Sequence, residues 1–206
     1  MNDPEAALPR RRRPRGDVRA GLVAAGLELA RTGGPDAVVL REATRIVGVV
    51  PNAAYRHFAD RDELLAEVCA AAMNALAERM TAGIGRVRGG AGAAQRRLAA
   101  IGTAYLEFAR EEPGLFATAF AVPQEHGYDE RNGTPLGLLR DALDELVAAG
   151  VLDPQRREGI EYPIWSIVHG TAVLTGQGPL RDAPHVRQIE ALSLAFIANS
   201  LAERPR

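Results

Sequence analysis

The stretch that decides the fold covers residues 40–65 and reads LREATRIVGVVPNAAYRHFADRDELL. A short apolar pattern typical of a helix ends at Gly48, a residue type that tolerates the positive φ of a tight turn. Pro51 then suits the first position of a second helix, because the N–H that proline lacks would be unpaired there anyway. Two short helices joined by a glycine turn form a helix-turn-helix, so the stretch predicts this unit.

Helical patterns also flank this stretch on both sides. Asp17 is a good N-cap for a first helix over about 17–32, and the run Gly33-Gly34-Pro35 should end that helix. Apolar periodicity then predicts helices near residues 61–82, 93–112, 113–121, 136–149, 154–178 and 185–203. Since no alternating strand pattern occurs, the sequence predicts an all-α fold with an N-terminal three-helix head and a larger helical C-terminal domain.

Composition excludes several classes of protein. The single cysteine, Cys69, rules out an intrachain disulfide and fits a reducing cytoplasm. No apolar run reaches the roughly 18 residues that a membrane helix needs, so no membrane partner is expected. The sequence also lacks a Ser/His/Asp, Cys/His or paired-carboxylate arrangement, a phosphate-binding loop and a metal-ligand set. We therefore predict a cytoplasmic protein that is not an enzyme and takes no metal or cofactor.

Charge is unevenly distributed along the chain, although the formal net charge is only −1. Residues 1–61 contain 11 Arg against 7 acidic residues, a net charge of +4, and residues 62–206 contain 14 Arg against 19 acidic residues, a net charge of −5. The basic end coincides with the helix-turn-helix, as binding to phosphates requires. Residues 1–16 are polar and Arg-rich and predict a disordered basic arm, which either contacts DNA or is a solvated tail.

The second helix of the unit carries side chains suited to reading DNA. A recognition helix presents short, adaptable side chains to base edges and hydrogen-bond donors to phosphates. After Pro51, the residues Asn52, Ala53 and Ala54 fit the first role, since Asn bonds an adenine edge and Ala touches a thymine methyl.

The residues that follow fit the phosphate-binding role. Tyr55, Arg56 and His57 supply donors, and His57 is either a phosphate donor or a helix cap. Arg41, on the preceding helix, either reaches a phosphate or belongs to a solvated face. Phe58 is expected in the core, because the end of the helix must pack against the first helix.

Residues 17–66 resemble the DNA-binding signature of tetracycline-repressor (TetR) type regulators. The resemblance rests on Gly33-Gly34, Gly48, the run Tyr55–Phe58 and the run Arg61–Leu65. It implies that the aromatic residue at Tyr55 and the basic residue at Arg61 contact phosphates. The predicted DNA-binding residues are Arg41, Pro51, Asn52, Ala53, Tyr55, Arg56, His57 and Arg61.

Two positions depart from the pattern of the family. Ser or Thr usually caps the second and third helices where Val39 and Val50 stand here. Valine has no side-chain acceptor for the free backbone N–H groups, and each lost cap typically costs about 1 kcal/mol of stability.

Two segments of the C-terminal half resemble one TetR subgroup. Residues 105–116 contain YLEFA and EPGLF, and residues 165–176 contain the Trp…His-Gly pattern after which the ligand-binding domain of that subgroup is named. Either the aromatic residues line a cavity for a small apolar effector, with His169, Gln177 or Tyr162 as polar anchors, or they form a plain core. The predicted ligand-binding residues are Tyr105, Phe108, Phe116, Phe120, Tyr162, Trp165 and His169.

The last two helices predict a homodimer. Small residues such as Gly170 and Gly176 allow another helix to approach closely, and the run 188–201 is apolar on nearly all sides. Pairing of the helices near 154–178 and 185–203 with their copies would place two recognition helices roughly 34 Å apart and predicts a palindromic operator.

The resemblance therefore implies a ligand-responsive transcriptional regulator. It divides the chain into a basic arm (1–16), a helix-turn-helix DNA-binding domain (17–60) and a ligand-binding and dimerisation domain (61–206). The implied partners are double-stranded DNA, a small, largely apolar effector that releases a repressor from its operator, and a second copy of the chain. A DNA-binding or interaction protein with no effector is the alternative.

Overall fold

The computed structural model describes residues 15–122 and 133–202, so most of the predicted arm lies outside it, as do most of residues 122–135, where the sequence predicts a loop. The described residues form helices and no strand, which confirms the all-α prediction. In chain order the α-helices are α1 (Arg15–Gly33), α2 (Leu40–Val47), α3 (Pro51–Ala54), α4 (Arg61–Gly85), α5 (Ala93–Glu111), α6 (Pro113–Ala119), α7 (Pro135–Ala148), α8 (Glu161–Gly176) and α9 (Val186–Ala202).

Three predicted helix limits differ from the structure. The chain is already helical at Arg15, so Asp17, the predicted first cap, is the third residue of α1. The third helix, which the sequence predicted to end within residues 55–58, ends at Ala54, and residues 55–57 form a turn. The helix predicted from 154 begins at Glu161, because Pro154 starts a separate 3₁₀ turn and Gly159 adopts a left-handed φ of 74° that interrupts the helix.

The head is built by α1, α2 and α3 around a small apolar core. Leu22, Val38, Ala54 and Phe58 are fully buried, which confirms the predicted core position of Phe58. The guanidinium carbon of Arg19 lies 4.8 Å from the centroid of the Phe58 ring and covers its outer side.

Helix α5 is at the centre of the C-terminal domain, where two glycines let other helices approach it. A Cβ on Gly102 would lie 2.5 Å from Cδ2 of Leu194, so α9 packs directly on α5 at this point. A Cβ on Gly176 would lie 2.8 Å from the carbonyl oxygen of Ala109, so the end of α8 meets α5 in the same way. The partner of the small residue Gly176 is therefore a helix of the same chain.

A buried carboxylate connects α7 to α8. Glu161 accepts hydrogen bonds from Nε of Arg140 over 3.2 Å and from Nη1 of Arg157 over 3.0 Å. Arg157 also donates to Asp144 over 2.6 Å. A buried charge requires such partners, so the cluster fixes the start of α8 against α7. Among the helices of residues 15–122 and 133–202, none is long and apolar enough to cross a membrane.

Candidate nucleic-acid interface and effector cavity

The turn between α2 and α3 has the geometry that its sequence predicted. Gly48 has a φ of 74°, and its N–H donates to the carbonyl of Thr44 over 2.9 Å. The N–H of Val49 bonds the same carbonyl over 3.1 Å. Pro51 occupies the first turn of α3, as predicted. These contacts fix the direction in which α3 leaves α2.

The predicted base- and phosphate-contacting residues are at the surface of the head, with one exception. Arg41, Pro51, Asn52, Tyr55 and Arg56 are exposed, and the exposed fraction of Tyr55 is 59%. Ala53 and His57 are partly buried.

The exception is Ala54, which is fully buried. Its carbonyl accepts the N–H groups of His57 over 2.8 Å and of Phe58 over 2.9 Å, so the residue belongs to the core and turn of the head. The prediction that Ala54 contacts a base is therefore wrong. Residues two apart on an α-helix point in nearly opposite directions, so the exposed side of Asn52 leaves Ala54 facing the core.

Arg61 has a structural role in the described head. Its Nε donates to the carbonyl of Val38 over 2.9 Å and its Nη2 donates to the carbonyl of Pro35 over 2.8 Å. The side chain therefore ties the start of α4 to the α1–α2 connection. Its contact with a phosphate stays a prediction.

The start of α4 carries a variant of the capping box, with Asp60 as the cap, that the sequence analysis missed. Oδ1 of Asp60 accepts the N–H of Glu63 over 2.9 Å, and the Glu63 carboxylate accepts the N–H of Ala59 over 2.6 Å. An acidic residue followed three positions later by Glu was the signal that could have revealed it.

Five of the seven predicted ligand-binding residues form one aromatic cluster. The hydroxyl of Tyr105 is hydrogen-bonded to Nδ1 of His169 over 2.8 Å, and the ring of Tyr105 meets those of Phe116 and Trp165 edge-on. The ring of Phe120 lies 4.7 Å from that of His169, measured between centroids. Packing among these rings buries the imidazole, and that burial lowers the pKa of His169, which favours its neutral form.

The other two predicted ligand-binding residues, Phe108 and Tyr162, lie in different parts of the molecule. Phe108 is buried in the core of the C-terminal domain. Tyr162 is on the surface, 51% exposed, and its hydroxyl accepts a hydrogen bond from Nη2 of Arg140 over 3.3 Å. Gln177 donates its amide to the carbonyl of Pro113, which joins the end of α8 to the start of α6.

A cavity of about 80 Å³ lies beside the aromatic cluster, among α4, α5, α7, α8 and α9. Tyr105 and Trp165 are the predicted residues that line it. Most of the wall is aliphatic and includes Ile101, Leu139 and Ile197. Among the described residues, no charged side chain lines the cavity, and the amide of Gln95 is a polar group of its lining. Aliphatic positions on a helix face predict burial, but they do not distinguish a cavity wall from a filled core, so the sequence analysis did not identify them.

Helices α8 and α9 expose large apolar side chains. Val173 and Leu174 are exposed on α8, and Leu192 and Phe196 are 61% and 64% exposed on α9. Gly170 faces open space, since nothing lies within 4 Å of an added Cβ. The two helices therefore present apolar side chains that residues 15–122 and 133–202 leave uncovered.

Comparison with known proteins gives a family match in the C-terminal half of the chain. Residues 98–197 match the sequence profile of the family described as the tetracyclin repressor-like C-terminal domain. This range contains the aromatic cluster and much of the cavity wall. No curated protein gives a significant match.

Solved structures similar to the whole chain include TetR-family regulators. A protein of unknown function from Rhodococcus sp. RHA1 is 24% identical, with a TM-score of 0.72 over 90% of this chain and 96% of that one. A TetR-family transcriptional regulator from Pectobacterium atrosepticum is 17% identical, with a TM-score of 0.67 over 93% and 97% of the two chains. A putative TetR-family regulator from Shewanella sp. PV-4 is also 17% identical, with a TM-score of 0.65 over 91% and 99%. At these identities the likeness establishes a shared fold.

Proposed function

From a chain that has the TetR-family regulator fold and a tetracyclin repressor-like C-terminal domain over residues 98–197, we propose a ligand-responsive transcriptional repressor. It binds a palindromic operator as a homodimer and is released by a small, largely apolar effector. DNA binding belongs to residues 17–60, and effector binding and dimerisation belong to residues 61–206.

The observation that carries the proposal is the exposed segment that follows Gly48. Asn52 and Tyr55 are at the surface, whereas Phe58, three residues beyond Tyr55, is fully buried in the head. A helix-turn-helix contacts base edges with the first residues of its recognition helix and contacts phosphates with the residues around them. The excess of Arg over acidic residues in residues 1–61 supports attraction to DNA.

The size of the cavity suggests how an effector would act. A volume of about 80 Å³ is well below the roughly 300 Å³ or more of typical small-molecule sites. An effector would therefore have to widen the cavity, and it would bind a widened state better than the state described here. Such a difference in affinity is what a ligand needs in order to shift a conformational equilibrium.

Contacts between the head and α6 would transmit the conformational change from the C-terminal domain to the head. Helix α6 carries Phe116 in the aromatic cluster, and its first residues pack against the end of α1. A rearrangement of the cluster would therefore displace α1 and, in a dimer, change the distance between the two recognition helices.

The apolar surface of α8 and α9 supports the homodimer. An exposed face that contains Leu192 and Phe196 is costly in water, and a two-fold contact would bury the face of each copy against the other. The second copy would also supply the second recognition helix that a palindromic operator requires.

Selection of genomic DNA fragments by the purified protein tests operator binding. We expect an enriched palindrome with the natural sequence and loss of enrichment with Tyr55→Ala or Arg56→Ala. Arg86→Ala is the matched control, since it removes the same charge from an exposed position outside the head. No enrichment by the natural sequence at low salt would refute operator binding.

A thermal-shift screen with uncharged, apolar compounds tests effector binding. A compound at a hundred times its Kd should stabilise the protein by roughly 2.7 kcal/mol. The same compound should no longer raise the Tm of Ile101→Phe, in which a larger side chain occupies the cavity wall. If the variant responds as the natural sequence does, the compound binds elsewhere.

A further inference from the structure

Val50 is the most exposed large apolar side chain in residues 18–122 and 133–202, with 69% of its surface exposed. It directly precedes α3, and its backbone is extended, with φ −70° and ψ 145°. Its side chain makes no capping hydrogen bond to the helix. The position therefore combines two unfavourable features: a helix start without a cap and an apolar side chain in water.

Neither feature is compensated within the described chain. A valine can replace a capping residue at little cost when it becomes buried, but 69% of the surface of Val50 stays exposed. The backbone does not require valine either, because Ser or Thr adopts the same extended conformation and would also cap the helix. An intermolecular contact would account for both features at once.

The place of Val50 in the head indicates what that contact is. It is next to Pro51 and Asn52, at the start of the recognition helix, where a helix-turn-helix meets base edges. Its side chain has no hydrogen-bond donor or acceptor. In the major groove the apolar group that a base edge presents is the C5-methyl of thymine, and the other base-edge groups are donors or acceptors.

We propose that Val50 determines operator specificity by packing its methyl groups against the C5-methyl of a thymine in each half-site. This inference rests on the proposed operator binding and specifies one base of the operator. The apolar contact takes the place of the hydrogen-bonding cap. The same side chain would disfavour the other bases, because it would remove water from a donor or acceptor without replacing the hydrogen bond.

Replacement of thymine by deoxyuridine in the selected operator tests the contact directly. The change removes the C5-methyl and keeps every hydrogen-bonding group of the base. At one symmetric position we expect deoxyuridine to raise the Kd of the natural sequence roughly fourfold for each half-site that carries it, as loss of one buried methyl-sized group predicts. Fluorescence anisotropy measures the Kd. Deoxyuridine at each of the other thymine positions of the same operator serves as the control.

The variant Val50→Ser completes the test, because serine removes the methyl groups and supplies the missing cap. We expect its Tm to be at least that of the natural sequence, so lost affinity could not be ascribed to an unfolded head. Its Kd should be the same on the thymine and deoxyuridine operators. The slope of log Kd against log salt should also stay unchanged, because an apolar contact releases no counterions.

The possible results separate the two proposals. If the natural sequence binds the operator but deoxyuridine has no effect at any position, the Val50 contact is refuted and operator binding stands. If Val50→Ser keeps the full sensitivity to deoxyuridine, another residue touches the methyl group and the assignment to Val50 is refuted. If no fragment is bound, both proposals are refuted.

Discussion

The guanidinium of Arg31 donates a hydrogen bond to the carboxylate of Glu112 over 2.9 Å and so joins the last turn of α1 to the residue before α6. Gly114 lies beside this pair and packs against the backbone carbonyls of Ala30 and Arg31. Because α6 also carries Phe116, one short helix touches both the head and the aromatic cluster. The head and the C-terminal domain are therefore joined by backbone packing as well as by an ion pair.

Gly114→Ala should destabilise the protein, because the new Cβ would collide with the α1 backbone, which cannot move as a side-chain end can. Overpacking of this kind costs about 1–3 kcal/mol, measured as a change in the free energy of urea unfolding. Gly85→Ala, in a helical position with nothing within 4 Å, is the control and should be neutral or stabilising. Equal stability of both variants would show that the α1–α6 contact is loose.

Tyr105→Phe should cost about 1–3 kcal/mol of unfolding free energy, because it removes a buried hydroxyl and leaves Nδ1 of His169 without this hydrogen bond. Tyr162→Phe makes the same chemical change at an exposed position and should alter stability by no more than about 0.5 kcal/mol. A Tyr105→Phe protein as stable as the control would indicate that water replaces the lost hydroxyl.

His169 should make stability depend on pH. Burial lowers the pKa of His169 in the folded state, so between its folded and unfolded values the unfolded chain binds more protons. The stability that neutral His169 allows, measured as free energy of unfolding, is therefore fully present above about pH 6.5. It is lost as the pH falls below that value.

Urea unfolding from pH 7.5 to 5 measures this dependence. We expect His169→Gln to flatten the decline in unfolding free energy toward low pH. His185→Gln, at an exposed histidine, should leave the decline as it is in the natural sequence. A decline that is equally steep in both variants would assign it to other groups.

Phe196→Arg should convert a dimer into a monomer, because it puts a charge on the exposed apolar face of α9. The side chain is 64% exposed, so the fold should persist and circular dichroism should be unchanged. Sedimentation equilibrium gives the molecular mass, with Ala82→Arg on the exposed side of α4 as the control. A Phe196→Arg dimer as tight as that of the control would place the interface on another surface.

Local backbone chemistry made the head predictable. The left-handed φ of Gly48 and the place of Pro51 at the start of α3 depend on those residues and their immediate neighbours. The length of α3 was harder to predict from the sequence, because one helical turn followed by a bend has nearly the same apolar spacing as a longer helix. That difference decides that Ala54 is buried, whereas Tyr55 is exposed.

Contacts that join distant parts of the chain were not predictable in this way. The carbonyls that hold Arg61 belong to residues 23 and 26 positions earlier in the chain, and no local pattern reports such a pairing. The aromatic residues were identified from their type, but their gathering around His169 depends on how α5, α6 and α8 cross.

The sequence by itself determined the all-α fold, the helix-turn-helix and the surface position of Tyr55, because periodicity, turn residues and side-chain polarity act over a few residues. Only the tertiary structure decided which apolar residues line a cavity, that Gly102 faces α9 and Gly176 faces α5, and that Val50 is left in water. Burial is the physical reason. A side chain's exposure depends on what other helices place beside it, and one stretch of sequence does not contain that information.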